Sequence, residues 1–402
     1  MMRVGICYSS FARELGGGSR FESEVTLGLA NQANDQFEFH LISDKPNPRF
    51  EIPNIEIPHA QLMTRRRLIA EKLRLVGPLE TQSSVTNRTL KQQGIDLLYS
   101  PHPGTVSLDM PYVVTCWDLQ HRMQPFFPEV STVGWDWDSR ELTYQRVLRR
   151  AAAVVTGTEQ GKKEIELFFG VHPDRISVIP FAVSSDLLQC VAVKPKWAPN
   201  NRFVVYPSQF WPHKNHVTIV LALRALKQNF GLDITAVFPG SANLDASCTR
   251  EYVESMARDA GVSVVFPGFI QDEELRWLYE NGEALVFASL FGPDNLPPIE
   301  AMSLKCPVVA SNVPGAEEQL GDTALLVTPT DELAMASAIH QVMSNTETRR
   351  GLIERGTCLT NRLSMKRYTS DLLSLFGHLA KYRRCWPSQR KSSTGTLCNH
   401  VS

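Results

Sequence analysis

The chain has 402 residues, of which 43% are hydrophobic and 21% are charged, and its formal net charge is -1. This length exceeds what one hydrophobic core usually serves, so we expect two domains with a cleft between them. The near-neutral charge lacks the basic excess of proteins that bind a phosphate backbone, which argues against nucleic acid as a partner.

The eight cysteines are dispersed, without CxxC pairs or the clustering of disulfide-stapled secreted domains. The N-terminal residues MMRVGICYSS run straight into a short apolar strand and lack the layout of a secretory signal. No stretch approaches the ~18 uninterrupted apolar residues of a membrane-spanning helix. These features predict a cytoplasmic protein with reduced thiols, whose only membrane contact would be peripheral, on the inner face.

Short runs rich in Val and Ile alternate with longer amphipathic stretches, which is the βαβ pattern of parallel sheets buried on both faces. In the first half, strands are predicted at residues 3–8, 37–42, 95–99, 112–116, 153–156 and 176–179. In the second half, they are predicted at residues 203–207, 234–238, 263–266, 284–287 and 307–311, with helices starting near His216, Thr249, Asp272 and Pro298. The expected fold class is α/β, with two Rossmann-like doubly wound domains that face a central cleft.

The domain boundary is predicted in an aperiodic segment rich in Lys, Pro and Trp, residues 186–200. It separates an N-terminal domain, residues 1–185, from a C-terminal domain, residues 201–364. A helix at residues 365–382 is predicted to follow, with a return to the N-terminal domain as one option. The polar and basic composition of residues 383–402 predicts a mobile tail.

Three consecutive glycines, Gly16, Gly17 and Gly18, lie between the first strand and the first helix. Backbone without side chains can approach a ligand closely and present amides to a phosphate or a sugar. Ser19 and Glu22 have the spacing of a capping box that would start the helix. A simple turn is the alternative interpretation of the glycines.

Two polar residues, Asp118 and His121, follow the strand predicted at residues 112–116. Open α/β sheets bind ligands past the carboxyl ends of their strands, so both are candidate catalytic groups in the cleft. Alternatively, Asp118 caps a turn and His121 hydrogen-bonds a loop.

Lys214 and Glu300 each lie close to a predicted helix start in the second half. An ammonium beside unpaired helical amides can offset the charge that grows on a departing diphosphate. A carboxylate in the first turn of the proline-started helix near Pro298 can accept two hydrogen bonds from vicinal hydroxyls such as those of ribose. A solvated lysine and a plain helix-dipole contact are the alternatives.

A basic amphipathic helix is predicted between residues 62 and 75. Such a helix can lie on anionic lipid, although a solvated helix face is the alternative. The residues proposed for peripheral membrane contact are Arg65, Arg66, Arg67, Lys72 and Arg74.

Four stretches, in this order, resemble family 4 of the retaining GT-B glycosyltransferases, also called glycosyl transferases group 1. They are residues 16–18, 153–183, 206–216 and 296–329, and the resemblance covers roughly residues 3–380. It implies the GT-B architecture and transfer of a sugar from a nucleoside-diphosphate sugar to a hydroxyl of a glycan or lipid-linked acceptor. It also implies retention of anomeric configuration without a metal or other cofactor.

The resemblance further implies a role for single residues. Lys214 would contact the donor diphosphate, Glu300 the donor ribose, and the loop Gly16–Gly18 the phosphate or the transferred sugar. Leu296 lies at the start of the most specific of the four stretches, within the donor-binding segment.

The chain departs from the family pattern at two donor-binding positions. Gln209 stands where an arginine is common, and Gly292 stands where a glutamate is common. Because a charge-assisted contact contributes about 1.5 to 3 kcal/mol, other residues should compensate. We expect Ser208, Asp294 or Asn295 to do so, with Asp294 or Asn295 on the donor sugar.

Two further departures concern a histidine and a glycine of the family pattern. Trp117 replaces the histidine that commonly precedes Asp118, so that role is not carried over to Trp117. Lys305 replaces the glycine that ends a helix, which predicts a left-handed residue at a cost on the order of 1 kcal/mol.

Two other functions are compatible with these residues. A nucleotide-sugar epimerase of the same fold would need an acid/base pair flanking the sugar. A catalytically silent nucleotide-sugar binding protein would explain the charges absent at Gln209 and Gly292.

Overall fold

The computed structural model describes residues 1–9, 17–32, 35–57, 84–131, 137–241, 247–383 and 385. Three predictions fall wholly or mainly outside these residues. They are the glycine at position 16, most of the polar tail, and the basic helix with Arg65, Arg66, Arg67, Lys72 and Arg74.

The described residues form two parallel sheets. The first sheet has the strand order β3-β2-β1-β4-β5-β6-β7. Its strands are β1 (Met2–Cys7), β2 (Phe37–Ser43), β3 (Asn54–Glu56), β4 (Leu97–Ser100), β5 (Tyr112–Thr115), β6 (Ala153–Thr156) and β7 (Ile176–Val178). The reversal of strand order beside β1 creates a crevice at the carboxyl ends of the strands, where such folds bind ligands.

The second sheet has the strand order β10-β9-β8-β11-β12-β13. Its strands are β8 (Phe203–Val205), β9 (Thr235–Pro239), β10 (Ser263–Gly268), β11 (Leu285–Phe287), β12 (Val308–Ser311) and β13 (Leu325–Val327). The central strands β8, β11 and β12 are buried along their whole length, as expected for a parallel sheet covered on both faces.

Helices cover both sheets. Within the described residues they are α1 (Gly17–Ala30), α2 (Ser84–Gln92), α3 (Gln120–Met123), α4 (Pro128–Ser131), α5 (Trp137–Arg150), α6 (Glu159–Phe169), α7 (Ser185–Gln189), α8 (His216–Phe230), α9 (Ser247–Ala260), α10 (Asp272–Asn281), α11 (Leu296–Ser303), α12 (Ala316–Leu320), α13 (Glu332–Ser344), α14 (Thr346–Thr360) and α15 (Met365–Arg383). Single 3-10 turns occupy Pro173–Arg175, Pro212–Lys214 and Gly321–Thr323.

The last helix, α15, packs on the first sheet although it follows the second sheet in the chain. Tyr368, Leu372 and Phe376 are at most 1% exposed and share an apolar cluster with Val4 and Ile6 of β1. The helix therefore ties the C-terminal end of the chain to the N-terminal domain. Its final residue, predicted at the start of the mobile tail, instead donates a 3.1 Å hydrogen bond from its guanidinium to Asp96.

Each predicted strand is present, with ends that differ by at most two residues. The strands β3 and β13 were not predicted. β3 has a single apolar residue, Ile55, and the Leu-Leu-Val run of β13 is only partly buried at a sheet edge. The helix predicted near Pro298 begins at Leu296, which makes Glu300 its fifth residue and not a member of its first turn.

Two local predictions have opposite outcomes. The capping box of Ser19 and Glu22 is wrong, because α1 already begins at Gly17. The Glu22 carboxylate instead accepts a 2.6 Å hydrogen bond from the backbone N–H of Ser9. The left-handed conformation of Lys305 is confirmed, with φ of 59°.

Candidate functional site

A cavity of about 400 Å³ lies between the two sheets, at the carboxyl ends of their strands. Its walls come from segments that follow β1, β5, β8, β9, β10 and β11. The cavity brings together most of the predicted site residues: Gly17, Gly18, Asp118, Ser208, Gln209, Lys214, Asp294, Asn295, Leu296 and Glu300. The fold thus places them in one cleft, although they are spread over most of the chain.

The start of α1 forms one wall of the cavity. Gly17 and Gly18 are its first two residues, and the first four amides of a helix have no partner within it. A Cβ atom at Gly18 would lie 2.7 Å from the Trp117 ring, whereas one at Gly17 would be 3.7 Å from its nearest neighbour, Leu296. The Trp117 indole, which donates a 3.0 Å hydrogen bond to the carbonyl of Pro101, therefore requires glycine at position 18.

Glu300 forms part of the opposite wall and is 5% exposed. Tyr279 donates a 3.3 Å hydrogen bond from its hydroxyl to Glu300 Oε2. Burial raises the pKa of the Glu300 carboxyl, and the nearby guanidinium of Arg20 only partly offsets this.

Arg20 crosses the cavity from α1 and was not predicted as a site residue. Its Nη1 donates to Glu300 Oε1 at 3.3 Å, and its Nη2 forms an ion pair with Asp272 at the start of α10. Both carboxylates belong to the C-terminal half, so the guanidinium joins the two halves of the molecule.

Lys214 ends the 3-10 turn that precedes α8. The next residue, Asn215, has φ of 56°, and its side-chain amide donates to the carbonyls of Ala288 at 3.1 Å and Pro329 at 2.8 Å. These contacts fix the turn from which Lys214 reaches the cavity. Burial lowers the pKa of the Lys214 ammonium to about 8, although Asp118 and Glu129 favour its charged form.

His213 also lines the cavity and was not predicted as a site residue. Its Nδ1 contacts the Glu129 carboxylate of α4, and its backbone N–H donates to the same oxygen at 3.2 Å. Burial lowers the pKa of His213 to about 4, aided by the charge of Lys214 and opposed by Glu129. The imidazole is therefore neutral at physiological pH.

Asp118 lies at the cavity, whereas His121 does not. Asp118 accepts a 2.9 Å hydrogen bond from the backbone of Gln120 and forms an ion pair with Arg140. Burial raises the pKa of Asp118, but the Arg140 guanidinium and the Gln120 hydrogen bond together outweigh it, and the net direction is downward.

His121 is fully buried and its Nε2 lies 3.1 Å from the Glu141 carboxylate. Its ring packs against Tyr144, with the ring centroids 5.2 Å apart. His121 therefore lies beside Glu141 and away from the other predicted site residues.

Ser208 and Gln209 line the cavity next to β9. The Ser208 N–H donates to the carbonyl of Pro239 at 2.8 Å, and Gln209 accepts a 2.6 Å hydrogen bond from the indole of Trp211. The side-chain oxygen of Gln209 is thus already engaged with Trp211.

Asp294 and Asn295 differ in what their side chains contact. One Asp294 oxygen accepts a 2.5 Å hydrogen bond from Gln319. The other lies against Gly157, where a Cβ atom would be 1.5 Å away, and has no hydrogen-bond partner among the described residues. Burial raises the pKa of Asp294 to about 7.

Asn295 explains the glycine at position 292. Its side-chain amide donates a 2.8 Å hydrogen bond to the carbonyl of Gly292. A Cβ atom on Gly292, whose φ is 138°, would lie 2.3 Å from the Asn295 side-chain oxygen. A glutamate at position 292 is therefore incompatible with this loop.

The described residues contain neither a side-chain cluster suited to a metal ion nor a helix suited to span a membrane. None of their His, Cys, Asp and Glu side chains form a group of three or more that is suited to a metal ion. Within the same residues, every helix is too short or too polar to span a membrane.

Comparison with solved structures shows the same fold in other proteins. Sucrose-phosphate synthase from Thermosynechococcus elongatus superimposes with a TM-score of 0.72 at 17% identity, over 95% of this chain and 100% of that chain. HepE from Anabaena, solved in complex with UDP and glucose, gives a TM-score of 0.71 at 15% identity, over 94% and 100% of the two chains.

Curated relatives are similar over part of the chain. O-antigen chain mannosyltransferase B from Escherichia coli is 25% identical over 242 residues, which are 59% of this chain and 63% of the relative. O-antigen chain mannosyltransferase RfbU from Salmonella typhimurium is 30% identical over 196 residues, which are 48% and 52% of the two chains. The chain thus spans less than two thirds of the length of these two relatives.

Two family models match consecutive parts of the chain. The model of Glycosyltransferase Family 4 matches residues 16–187, and that of Glycosyl transferases group 1 matches residues 192–357. The chain therefore belongs to the group 1 glycosyltransferases of GT-B fold.

Proposed function

We propose that the protein transfers mannose from a nucleoside-diphosphate mannose to a hydroxyl of a glycan or lipid-linked acceptor, with retention of anomeric configuration. The observation that carries the proposal is the convergence of Glu300, Lys214 and the first amides of α1 in one cavity between the sheets. Similarity to two O-antigen mannosyltransferases supports mannose as the sugar and a glycan as the acceptor.

We place the nucleotide half of the donor against the wall of the cavity that the C-terminal domain forms. A buried carboxylate such as Glu300 can accept two hydrogen bonds from vicinal ribose hydroxyls. The start of α11 offers few amides to phosphate, because Pro297 and Pro298 have none and the Asn295 amide donates to Gln319. We therefore assign the diphosphate to Lys214 and to the amides of Gly17 and Gly18 on the opposite wall.

During transfer, the bond between the anomeric carbon and the diphosphate oxygen breaks, and a bond from the acceptor oxygen forms on the same face. The acceptor proton passes to the departing diphosphate, so no protein base is required. Because the acceptor attacks on the face that the diphosphate leaves, retention requires no protein nucleophile. Lys214 then stabilises charge that grows on the leaving group in a largely desolvated site, where such contacts are strongest. A metal ion has no part in this proposal.

The neutral imidazole of His213, oriented by Glu129, gives one observation in favour of a nucleotide-sugar epimerase. An epimerase would convert the donor without an acceptor, whereas a transferase would leave the donor sugar unchanged until an acceptor is added.

The experiment that separates these activities is NMR of reaction mixtures that contain the purified protein and mannose or glucose donors of uridine and guanosine diphosphate. With a mannose-terminated lipid-linked acceptor, we expect a new α-linked mannose from an α-linked donor. A β-linked product would contradict retention, and an epimerised donor formed without acceptor would favour the epimerase. If no donor is consumed under any condition, the proposed transferase is wrong.

A further inference from the structure

Arg20, Asp272 and Glu300 form a charged cluster across the cavity. Their side chains are 22%, 14% and 7% exposed, so all three are largely withdrawn from water. Arg20 is the only one of the three that belongs to the N-terminal half. Its guanidinium bridges the two carboxylates.

This arrangement conflicts with ribose binding at Glu300. Arg20 donates to Glu300 Oε1 and Tyr279 donates to Oε2, each at 3.3 Å. Each carboxylate oxygen can accept a second hydrogen bond, and Tyr279 does not line the cavity. Arg20 does line the cavity, so its guanidinium lies on the side of Glu300 from which a ribose would approach. Ribose and Arg20 therefore compete for the cavity side of the Glu300 carboxylate.

The diphosphate of a donor gives the displaced guanidinium a new partner. Among the described residues that line the cavity, the side chains with a positive charge at neutral pH are Arg20 and Lys214. Arg20 also lies in the first turn of α1, next to the amides of Gly17 and Gly18. Planar guanidinium groups bind phosphate oxygens strongly through paired N–H donors.

We propose that Arg20 exchanges partners when the donor binds: the ribose hydroxyls take Glu300, and the guanidinium, still held by Asp272, turns to the diphosphate. The inference rests on the proposed function, since it requires a nucleotide in the cavity. It makes Arg20 a binding residue that supplies the positive charge absent at Gln209. It also makes the diphosphate necessary for the nucleoside to bind well, since ribose alone must displace Arg20 without a new partner for it.

The test is calorimetric titration of the full chain with uridine, UDP, guanosine and GDP. The variant is Arg20→Gln, and the matched control is Arg3→Gln. Arg3 pairs with Glu38 at 2.8 Å, at the end of the first sheet opposite to the cavity. The quantity of interest is the affinity of the diphosphate divided by the affinity of its nucleoside, for the base that the wild type prefers.

We expect Arg20→Gln to bind the nucleoside about threefold more tightly, because the competitor of ribose is gone. We expect the advantage of the diphosphate over the nucleoside to fall about tenfold or more, because one charge-assisted contact is lost. Arg3→Gln should leave both affinities unchanged.

An unchanged diphosphate advantage in Arg20→Gln would overturn the exchange, whether nucleoside affinity is unchanged or weakened. If both ligands weaken equally, Arg20 is a structural support of Glu300. With either result, the wild type still binds nucleotide and the proposed function stands. If the wild type binds none of the four probes, the proposed function fails and this inference fails with it.

Discussion

Burial shifts the pKa of four residues that line the cavity. It raises the pKa of Glu300 and of Asp294 and lowers that of Lys214 and of His213. Each shift disfavours the ionised form, because charge is poorly solvated there. A ligand that brings the opposite charge or the right hydrogen bonds therefore changes the protonation of these groups, and its affinity should depend on pH.

The Glu300 carboxylate and the ribose hydroxyls should be energetically coupled in binding. In the wild type, a 2′,3′-dideoxy nucleoside diphosphate should bind about tenfold or more weakly than the normal one, because hydrogen bonds to a buried carboxylate are lost. In Glu300→Ala, the two ligands should bind with nearly equal affinity, because no side chain is left to bond the ribose hydroxyls. Calorimetric titration of both proteins with both ligands gives the coupling energy. The assignment is wrong if the two proteins discriminate equally between the ligands.

Lys214 should make diphosphate binding weaken at alkaline pH. Burial lowers its pKa to about 8, so above that pH the free protein holds a neutral amine that no longer attracts phosphate. We expect nucleoside-diphosphate affinity to decline as the pH rises above about 8. In Lys214→Arg the decline should disappear, because a guanidinium stays protonated. Titration between pH 6.5 and 9.5 tests this, and an identical decline in both proteins would contradict it.

At the scale of the element, the start of α1 has room for a side chain at one of its two glycines and not at the other. Gly18→Ala should displace the Trp117 ring, since the added Cβ would lie 2.7 Å from it, at a cost of about 1 to 3 kcal/mol in unfolding free energy. Gly17→Ala should be tolerated, since its Cβ would have ordinary van der Waals contacts. Chemical denaturation of both variants measures the difference. Equal destabilisation would show that Trp117 is not the restraint.

Sequence patterns predicted the central strands and missed two edge strands. Central strands such as β6 and β12 are continuous buried runs, which an apolar pattern identifies. The edge strand β3 (Asn-Ile-Glu) has a single apolar residue and so carries little signal. The edge strand β13 is a Leu-Leu-Val run that the prediction missed, although β7, which is equally short and also lies at an edge, was predicted.

The site was predictable where a residue follows a strand or starts a helix, as for Lys214, Asp118 and Gly18. It was not predictable where the partner is remote in sequence. Arg20 and Glu300 are 280 residues apart, and His213 and Glu129 are 84 apart. These pairs arise only when the two sheets face each other, and a single sequence has no signal for such pairings.

At the scale of the whole molecule, contacts across the cleft hold the two halves together. Glu318 of α12 accepts hydrogen bonds from the backbone N–H groups of Glu159 at 2.5 Å and Gln160 at 3.0 Å, at the start of α6. A carboxylate at a helix N-terminus is favourable because it satisfies orphan amides and the helix dipole. Glu318 thus acts as a cap supplied by the opposite domain.

Removal of this cap should loosen the cleft. We expect Glu318→Ala to increase the radius of gyration of the ligand-free protein and to lower its unfolding free energy by about 1 kcal/mol, as for a lost N-cap. Glu317→Ala is the matched control, because that carboxylate accepts a 3.2 Å hydrogen bond from Asn312 within the same half. Small-angle scattering of both variants tests the prediction. The cap has no role in closure if their radii do not differ.

The central claim is that sugar transfer takes place in the cavity between the two sheets, and transfer of labelled mannose from donor to glycan acceptor tests it most directly. The wild type and the exposed-surface control Glu317→Ala should form labelled product at similar rates. Lys214→Ala and Glu300→Ala, with circular dichroism spectra like those of the wild type, should be at least about 100-fold slower, because each removes a charged contact to the donor. Transfer at the wild-type rate by both folded variants would contradict the account.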